Sequence, residues 1–179
     1  MKKIALLLVI VLINCLFISN AFAVSAQEDI DYTVDVIIAQ AEDFFMSLKQ
    51  GKYDTAWSLL SEESRNRIID DIYDTYQNMG GEIRRSAIEQ DFEKSGMIFK
   101  NYWNSFVRNV DVLMILDDCR WQPGVMKETK ADIIITYMKS KNPLILHMVK
   151  ENDLWKVGLV ETFWNSRTMD ILQAIMKFI

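Results

Sequence analysis

The spacing of apolar residues changes about halfway along this chain of 179 residues. Between Thr33 and Phe106, apolar residues recur three and four positions apart, which is the spacing of one face of an α-helix. Between Asn109 and Glu161, apolar residues recur at every second position, which is typical of β-strands. Because the helices come first and the strands follow, we predict an α+β domain in which helices pack on an antiparallel sheet.

Residues that favour helix ends divide the helical half. Asp31 or Thr33 can accept hydrogen bonds from the free N–H groups of a first helix, and Gly51 can end that helix. Ser61 can cap a later helix in the same way, with acidic residues in its first turn. We therefore predict a first helix up to Gly51, a short helix starting at Lys52 or Asp54, a third from Ser61 to Gly80-Gly81, and a fourth from Glu82 towards Trp103.

Turn residues divide the second half into strands. We predict strands near Asn109–Asp117, Lys130–Ser140, Leu144–Lys150 and Leu154–Glu161. The turns between them are Trp121-Gln122-Pro123-Gly124, Lys141-Asn142-Pro143 and Glu151-Asn152-Asp153. Since the last two connections are short, we expect the last three strands to form an antiparallel meander.

Both faces of the predicted sheet are apolar in the middle. In the third strand, Leu146 and Met148 point to one side, whereas Ile145 and Val149 point to the other. A sheet with one face in water shows polar residues on that face. We therefore expect the helical half to cover one face, and the C-terminal segment or a second subunit to cover the other.

The N-terminus has the three parts of a secretory signal peptide. Met1-Lys2-Lys3 is positive, Ile4–Phe17 is almost continuously apolar, and Ser19–Ala23 offers small residues for cleavage after Ala23. The apolar run is shorter than the ~20 residues that a spanning helix needs. We therefore expect cleavage and no integral membrane span in the mature chain, which makes the protein periplasmic or secreted.

These patterns give a four-part organisation of the chain. It consists of a signal peptide over residues 1–23, a short flexible segment over 24–32, a folded domain over 33–162 and an amphipathic C-terminal helix over 163–179. The last segment is mostly apolar, which is typical of a helix that is buried. We expect this helix to pack on the sheet, and the alternative is that it docks on a partner.

Charge and cysteine content restrict the partners of the chain. The net charge is −5, and loss of Lys2 and Lys3 with the signal peptide makes it more negative. We expect no nucleic-acid partner, because phosphate binding needs clustered lysine and arginine. Cys119 is the only cysteine after the signal peptide, so it has no internal disulfide partner, and we interpret it as a small apolar filler.

The order of elements and two segments carry a family resemblance. Ala41–Ser61 reads as a helix, a glycine turn and a short helix, and Leu154–Val160 reads as a late strand. With helices first and a meander second, the chain resembles the nuclear transport factor 2-like superfamily over Thr33–Glu161. The resemblance implies a cone, with helices in the concave face of a curved antiparallel sheet of four or more strands, around a deep apolar cavity. The helix from Glu82 to Trp103 and the hydrophobic tail depart from the family pattern.

His147 is the only histidine of the chain. As a catalytic base it would need a carboxylate partner, which Asp132 or Glu161 could supply from other strands, and the alternative is a structural histidine held by a hydrogen bond. The acidic pairs Asp70-Asp71 and Asp117-Asp118 form no two-carboxylate site, because adjacent side chains point apart. The sequence leaves open whether the chain is an enzyme, and the lack of a known catalytic motif favours a non-catalytic role.

The main hypothesis is an exported, non-catalytic domain that binds a small apolar or lipid-like ligand in the cone. Phe45, Tyr137, His147 and Trp155 are the candidate wall residues, with His147 as the polar contact, and we expect no metal or cofactor. One alternative is an interaction module that dimerises or docks on an envelope protein through the sheet face or the C-terminal helix. Another is an isomerase- or hydratase-like enzyme that uses His147.

Overall fold

Helices come before strands in the structure, which confirms the predicted α+β fold class. The computed structural model describes residues 33–137 and 142–163. The contacts described below lie within the compact unit that begins at Ile37. The elements are α1 (residues 33–49), α2 (Tyr53–Ser58), α3 (Glu62–Asn78), α4 (Arg85–Glu93), α5 (Met97–Asn109), α6 (Val112–Asp117), β1 (Cys119–Met126), β2 (Lys130–Tyr137), β3 (Leu144–Glu151), β4 (Leu154–Gly158) and α7 (Leu159–Phe163).

Three predictions concern residues that lie outside the described part of the chain. They are the signal peptide over residues 1–23, the segment over 24–32 and the C-terminal helix beyond residue 163. Phe163 itself is the last residue of α7. In the part of the chain that the structure does describe, no helix is both long enough and apolar enough to cross a bilayer.

The four strands form one antiparallel sheet in the order β1-β2-β3-β4. His147 of β3 lies opposite Asp132 of β2 and opposite Gly158 of β4. Asn152 and Asp153 connect β3 to β4 with φ angles of 49° and 63°, which is the left-handed backbone of a two-residue hairpin turn. The predicted meander of the last three strands is therefore confirmed.

Two predicted helix ends are also confirmed. Gly51 follows α1 with a φ of 68°, a conformation that glycine adopts without steric cost. Ser61 caps α3, because its Oγ accepts a hydrogen bond from the backbone N–H of Ser64 at 3.1 Å. The local chemistry that favours each helix end is readable from the residue type alone.

The predicted first strand near Asn109–Asp117 is wrong, because this stretch is helical. α5 ends at Asn109, and Asp111 caps α6 by accepting a hydrogen bond from the backbone N–H of Met114 at 2.9 Å. The apolar run Val112–Leu116 is too short for its periodicity to distinguish a helix from a strand. The cap at Asp111 decides in favour of the helix.

The actual first strand is β1, and it contains the predicted turn Trp121-Gln122-Pro123-Gly124. Proline lacks the N–H of a sheet ladder, so it is confined to edge strands and bulges. β1 lies at an edge of the sheet, and its pairing with β2 shifts between Pro123 and Met126. The turn prediction is wrong because the edge position and the bulge accommodate this proline within a strand.

The predicted helix from Glu82 towards Trp103 is instead two helices. α4 ends at Glu93 and α5 begins at Met97, with Ser95 between them at a φ of 51°. The carboxylate of Asp91 caps α5, because its Oδ1 accepts a hydrogen bond from the backbone N–H of Phe99 at 2.9 Å. The break therefore has its own capping residue.

One face of the sheet, the inner face, is buried. It carries Ile133, Ile135, Leu146, Met148 and Val157, none of which is more than 2 % exposed. Phe45 of α1 packs edge-on against Trp121 of β1, with ring centroids 5.7 Å apart. The helical half contains an aromatic cluster around Trp103, whose ring centroid lies 5.2–6.5 Å from those of Phe44, Tyr53, Trp57, Phe99, Tyr102 and Phe106.

The opposite face, the outer face, mixes polar and apolar side chains. Asp132 and His147 occupy one pair of register positions on it, and Ile134 and Ile145 occupy the next. Ile145 is 46 % exposed, and Leu154 of β4 is 59 % exposed. The C-terminal segment that we expected to cover this face lies outside the described residues.

The β4 edge of the sheet is covered by the segment between α2 and α3. The backbone N–H of Val157 donates to the carbonyl oxygen of Leu59 at 2.8 Å, and the backbone N–H of Ser61 donates to the carbonyl oxygen of Val157 at 3.0 Å. Leu60 and Val157 thus form a parallel bridge. This pairing places Ser61, at the start of α3, beside the end of β4.

Candidate functional site

A groove of about 390 Å³ lies on the outer face, where β1, β2, β3 and α7 meet. Its polar lining includes Asp132, His147 and Glu161, and its apolar lining includes Val125 and Val149. Ligand sites of small molecules have volumes of roughly 300–1,000 Å³. The groove therefore has the size of a site for a small ligand.

Asp132 and His147 form a hydrogen-bonded pair in this groove. The Nδ1 atom of His147 lies 2.8 Å from the Oδ1 atom of Asp132, and the two side chains are 39 % and 28 % exposed. Since an ionised carboxylate only accepts hydrogen bonds, Nδ1 carries the proton. The second nitrogen, Nε2, makes no hydrogen bond within the described part of the chain, and in the neutral ring it is left as an acceptor.

The close approach of β1 to Asp132 depends on Gly124. A Cβ atom at residue 124 would lie 2.9 Å from the Cβ atom of Asp132 and 3.2 Å from its carbonyl oxygen. Any larger residue at this position would displace Asp132 or the strand that carries it. The bulge of β1 and the glycine within it therefore position the carboxylate that orients His147.

Glu161 is held from the other side of the groove by two serines. Its carboxylate accepts a hydrogen bond from Ser64 Oγ at 3.0 Å, and it lies 3.1 Å from Ser61 Oγ. Ser61 and Ser64 are fully buried. Ser64 Oγ also accepts a hydrogen bond from the backbone N–H of Val160 at 3.0 Å. This cluster joins the first turn of α3 to α7.

A residue of α7 also anchors the backbone of His147. The hydroxyl of Thr162 accepts a hydrogen bond from the His147 N–H at 2.9 Å and donates one to the Gly158 carbonyl oxygen at 2.6 Å. The prediction that the last strand continues to Glu161 is therefore wrong, because the chain turns into α7 after Gly158. That turn brings Glu161 into the groove.

The structure separates His147 from the other candidate wall residues. His147 lines the outer-face groove, whereas Trp155 is 6 % exposed on the inner face. Phe45 is 1 % exposed in the core beneath β1, and Tyr137 is half-buried at an inner-face position opposite Cys119. The four residues therefore do not line one common wall.

Some of the groove residues escaped the sequence analysis. Asp132 and Glu161 were considered as partners of His147, and the structure pairs His147 with Asp132. Val125, Lys127 and Lys130 were not considered, although all three line the groove. Nothing in their residue types distinguishes them, and only the β1–β2 pairing brings them beside His147.

The acidic pairs of the sequence take part in ion pairs instead of forming a site. Asp70 lies 2.6 Å from Arg85 Nε, Asp71 lies 3.0 Å from Arg67 Nε, and Asp117 lies 3.4 Å from Lys49 Nζ. Across the described ranges, no group of three histidine, cysteine or acidic residues is arranged to hold a metal ion.

A second, wider cleft of about 660 Å³ lies between the end of α1 and the junction of α5 with α6. One of its lining cations, Lys49, is paired with Asp117. The hydroxyl of Tyr53, also in its lining, donates to Asn104 at 3.0 Å. The groove is the stronger candidate site, because it contains an oriented imidazole beside the apolar side chains of Val125 and Val149.

Comparison with protein-family models, curated proteins and solved structures finds no match to this chain. The resemblance to the nuclear transport factor 2-like superfamily therefore stays a prediction.

Proposed function

We propose that this protein is an exported, non-catalytic domain that binds a small lipid-like ligand in the outer-face groove. The observation that carries the proposal is the Asp132–His147 pair, which lies in a groove of about 390 Å³ that Val125 and Val149 also line. Fixed polar groups next to apolar side chains are typical of small-molecule sites. Export is proposed on the N-terminal sequence alone.

The location of this site differs from the cone cavity that the family resemblance implies. The inner face is occupied by the chain's own side chains, since Ile133 and Leu146 are completely buried. On the outer face, His147 Nε2 has no hydrogen-bond partner among residues 33–137 and 142–163. A hydrogen-bonding group of a ligand would satisfy this nitrogen, which favours the outer groove.

Native mass spectrometry of the protein purified from its own envelope tests the proposal. We expect a reproducible added mass on the wild type and a smaller bound fraction on His147→Gln. Lys94→Gln is the control, because Lys94 is exposed at the end of α4 and does not line the groove. If the wild type carries no added mass, or if His147→Gln retains it fully, the groove is not the binding site.

The Asp132–His147 pair also favours a second candidate, an isomerase- or hydratase-like enzyme. A carboxylate that orients an imidazole is the arrangement of a general base, and Nε2 would then be the reacting atom. The test is to incubate the recovered ligand with the protein and analyse it chemically. Conversion that His147→Gln abolishes would replace the binding proposal with the enzyme, whereas an unchanged ligand supports binding alone.

Exposed apolar residues on the outer face favour a third candidate, a module that dimerises or docks on an envelope protein. Val125, Ile145 and Leu154 are exposed large apolar residues there, and Ile134 lies opposite Ile145. Sedimentation of the wild type and of Ile145→Lys tests this candidate. A dimer that Ile145→Lys dissociates would support it, and a wild-type monomer would exclude self-association through this face.

A further inference from the structure

Four charged side chains line the groove beside His147. They are Lys127, Lys130, Asp132 and Glu161. With two cations and two anions the lining has no net formal charge, so a charged ligand is favoured only by direct contact with individual groups. The contacts of the four side chains show which of them still have hydrogen bonds to offer.

Both carboxylates are already satisfied within the protein. Asp132 accepts a hydrogen bond from His147 Nδ1 at 2.8 Å. Glu161 accepts one from Ser64 Oγ at 3.0 Å and lies 3.1 Å from Ser61 Oγ. An ionised carboxylate with donors in place is stabilised and needs no cation from a ligand.

The two lysines have no such partners. Neither Lys127 nor Lys130 forms an ion pair within the described ranges. They lie on either side of the β1–β2 connection, where the Lys127 N–H donates to the Lys130 carbonyl oxygen at 2.8 Å. That hydrogen bond fixes the two backbone positions close together. The charged hydrogen-bond donors that this lining still offers a ligand are therefore the two ammonium groups.

The apolar part of the lining lies next to these lysines. Val125 of β1 is 60 % exposed, and Val149 of β3 is opposite Lys130 in the register. Exposed valine side chains can cover an alkyl chain and remove it from water. The groove thus combines two cations with an adjacent apolar strip.

We infer that the ligand of this groove is an amphiphile with an anionic head, a carboxylate or a phosphate, on a short apolar body. The head lies between Lys127 and Lys130, and the body lies against Val125 and Val149. This inference rests on the proposed function, since it names the class of ligand for the same groove.

Three probes with the same alkyl chain test the inference on the full chain. They are octanoate, octyl phosphate and octan-1-ol, each titrated calorimetrically at low salt. We expect one or both anionic probes to bind about tenfold more tightly than octan-1-ol, because two partly exposed charge pairs together contribute about this factor. The tighter of the two anions identifies the head group. Added salt should weaken the anionic probes and leave octan-1-ol unchanged.

Matched charge variants locate the effect. Lys127→Gln/Lys130→Gln should lower the affinity for the better anion about tenfold and leave that for octan-1-ol unchanged. Lys94→Gln/Lys100→Gln changes the net charge equally at two exposed positions outside the groove, and it should change neither affinity. Thermal unfolding of both variants verifies that they fold.

The possible outcomes distinguish a failure of the anionic-ligand inference from a failure of the proposed binding function. If octan-1-ol binds as tightly as both anions, or if the groove variant binds the anions like the wild type, the inference is wrong and the binding site survives. If none of the three probes binds, the binding proposal is wrong, and the inference is overturned with it.

Discussion

Gly158→Ala tests how much the contacts between α7 and the rest of the domain contribute to the free energy of unfolding. A Cβ atom at this position would lie 2.9 Å from Cδ and Oε2 of Glu161 and 3.0 Å from the carbonyl oxygen of His147. Real Cβ atoms do not approach other atoms this closely, so the carboxylate must move. Because Ser61 and Ser64 hold the carboxylate at 3.1 and 3.0 Å, it cannot move without losing those hydrogen bonds.

The magnitude follows from the two serines, which are fully buried. A hydrogen bond to a charged group contributes about 1.5–3 kcal/mol to stability. Ser61 Oγ and Ser64 Oγ lie 2.8 Å apart, so one bond between them survives when the carboxylate leaves. We therefore expect Gly158→Ala to lower the free energy of unfolding by about 2 kcal/mol, measured by urea denaturation.

A double-mutant cycle isolates the cause of that loss. Glu161→Ala removes the carboxylate that the new methyl group would strike. In this background, Gly158→Ala should lower the free energy of unfolding by clearly less than in the wild type, because only the 3.0 Å contact with the His147 carbonyl oxygen remains. An equal loss in both backgrounds would refute the role of the carboxylate and would place the loss at the His147 carbonyl oxygen or in the backbone of residue 158.

Three further predictions concern other parts of the domain. Asp91→Ala should lower the free energy of unfolding by about 1 kcal/mol, because Asp91 caps α5 at Phe99, and Asp91→Asn should recover most of this in urea denaturation. Burial, and then the nearby Asp71, raises the pKa of the Tyr102 phenol. Above the unfolded pKa of about 10, the unfolded state loses this proton more readily than the folded state, so the free energy of unfolding falls as the pH rises further. Tyr102→Phe should therefore flatten the alkaline decline of unfolding free energy, and an unchanged decline would exclude Tyr102 as its source. Burial, and then Asp118, raises the pKa of the Cys119 thiol, so Cys119 should react with iodoacetamide at pH 8 more slowly than free cysteine, and an equal rate would contradict this.

The parts of the fold that local chemistry decides were predictable from the sequence. A serine hydroxyl caps the helix that follows Ser61, and Glu151-Asn152-Asp153 suits a tight turn between strands. The two-residue period of β2 and β3 also marks their buried residues. The Asn109–Asp117 stretch was not predictable in this way, because its five consecutive apolar residues, 112–116, fit either secondary structure.

The candidate site was harder to predict because it depends on strand register. A turn centred on Asn142, as the sequence suggested, would place Tyr137 opposite His147. The observed register places Asp132 there instead, which makes a carboxylate the cross-strand neighbour of His147. A shift of register changes every cross-strand pair at once. Residue types alone do not reveal such a shift.

The groove takes its geometry from contacts that also hold the domain together. Glu161 faces the groove and binds the serines of α3, while Thr162 holds the His147 backbone. Substitutions at these positions would therefore change stability and ligand affinity together, and a lost affinity could not be assigned to either cause. Lys127 and Lys130 take part in neither set of contacts, because they enter the groove from the β1–β2 connection. The lysine variants therefore offer the cleaner test of ligand recognition. Replacing the two lysines removes their charges and leaves the hydrogen bonds of Glu161 and Thr162 in place.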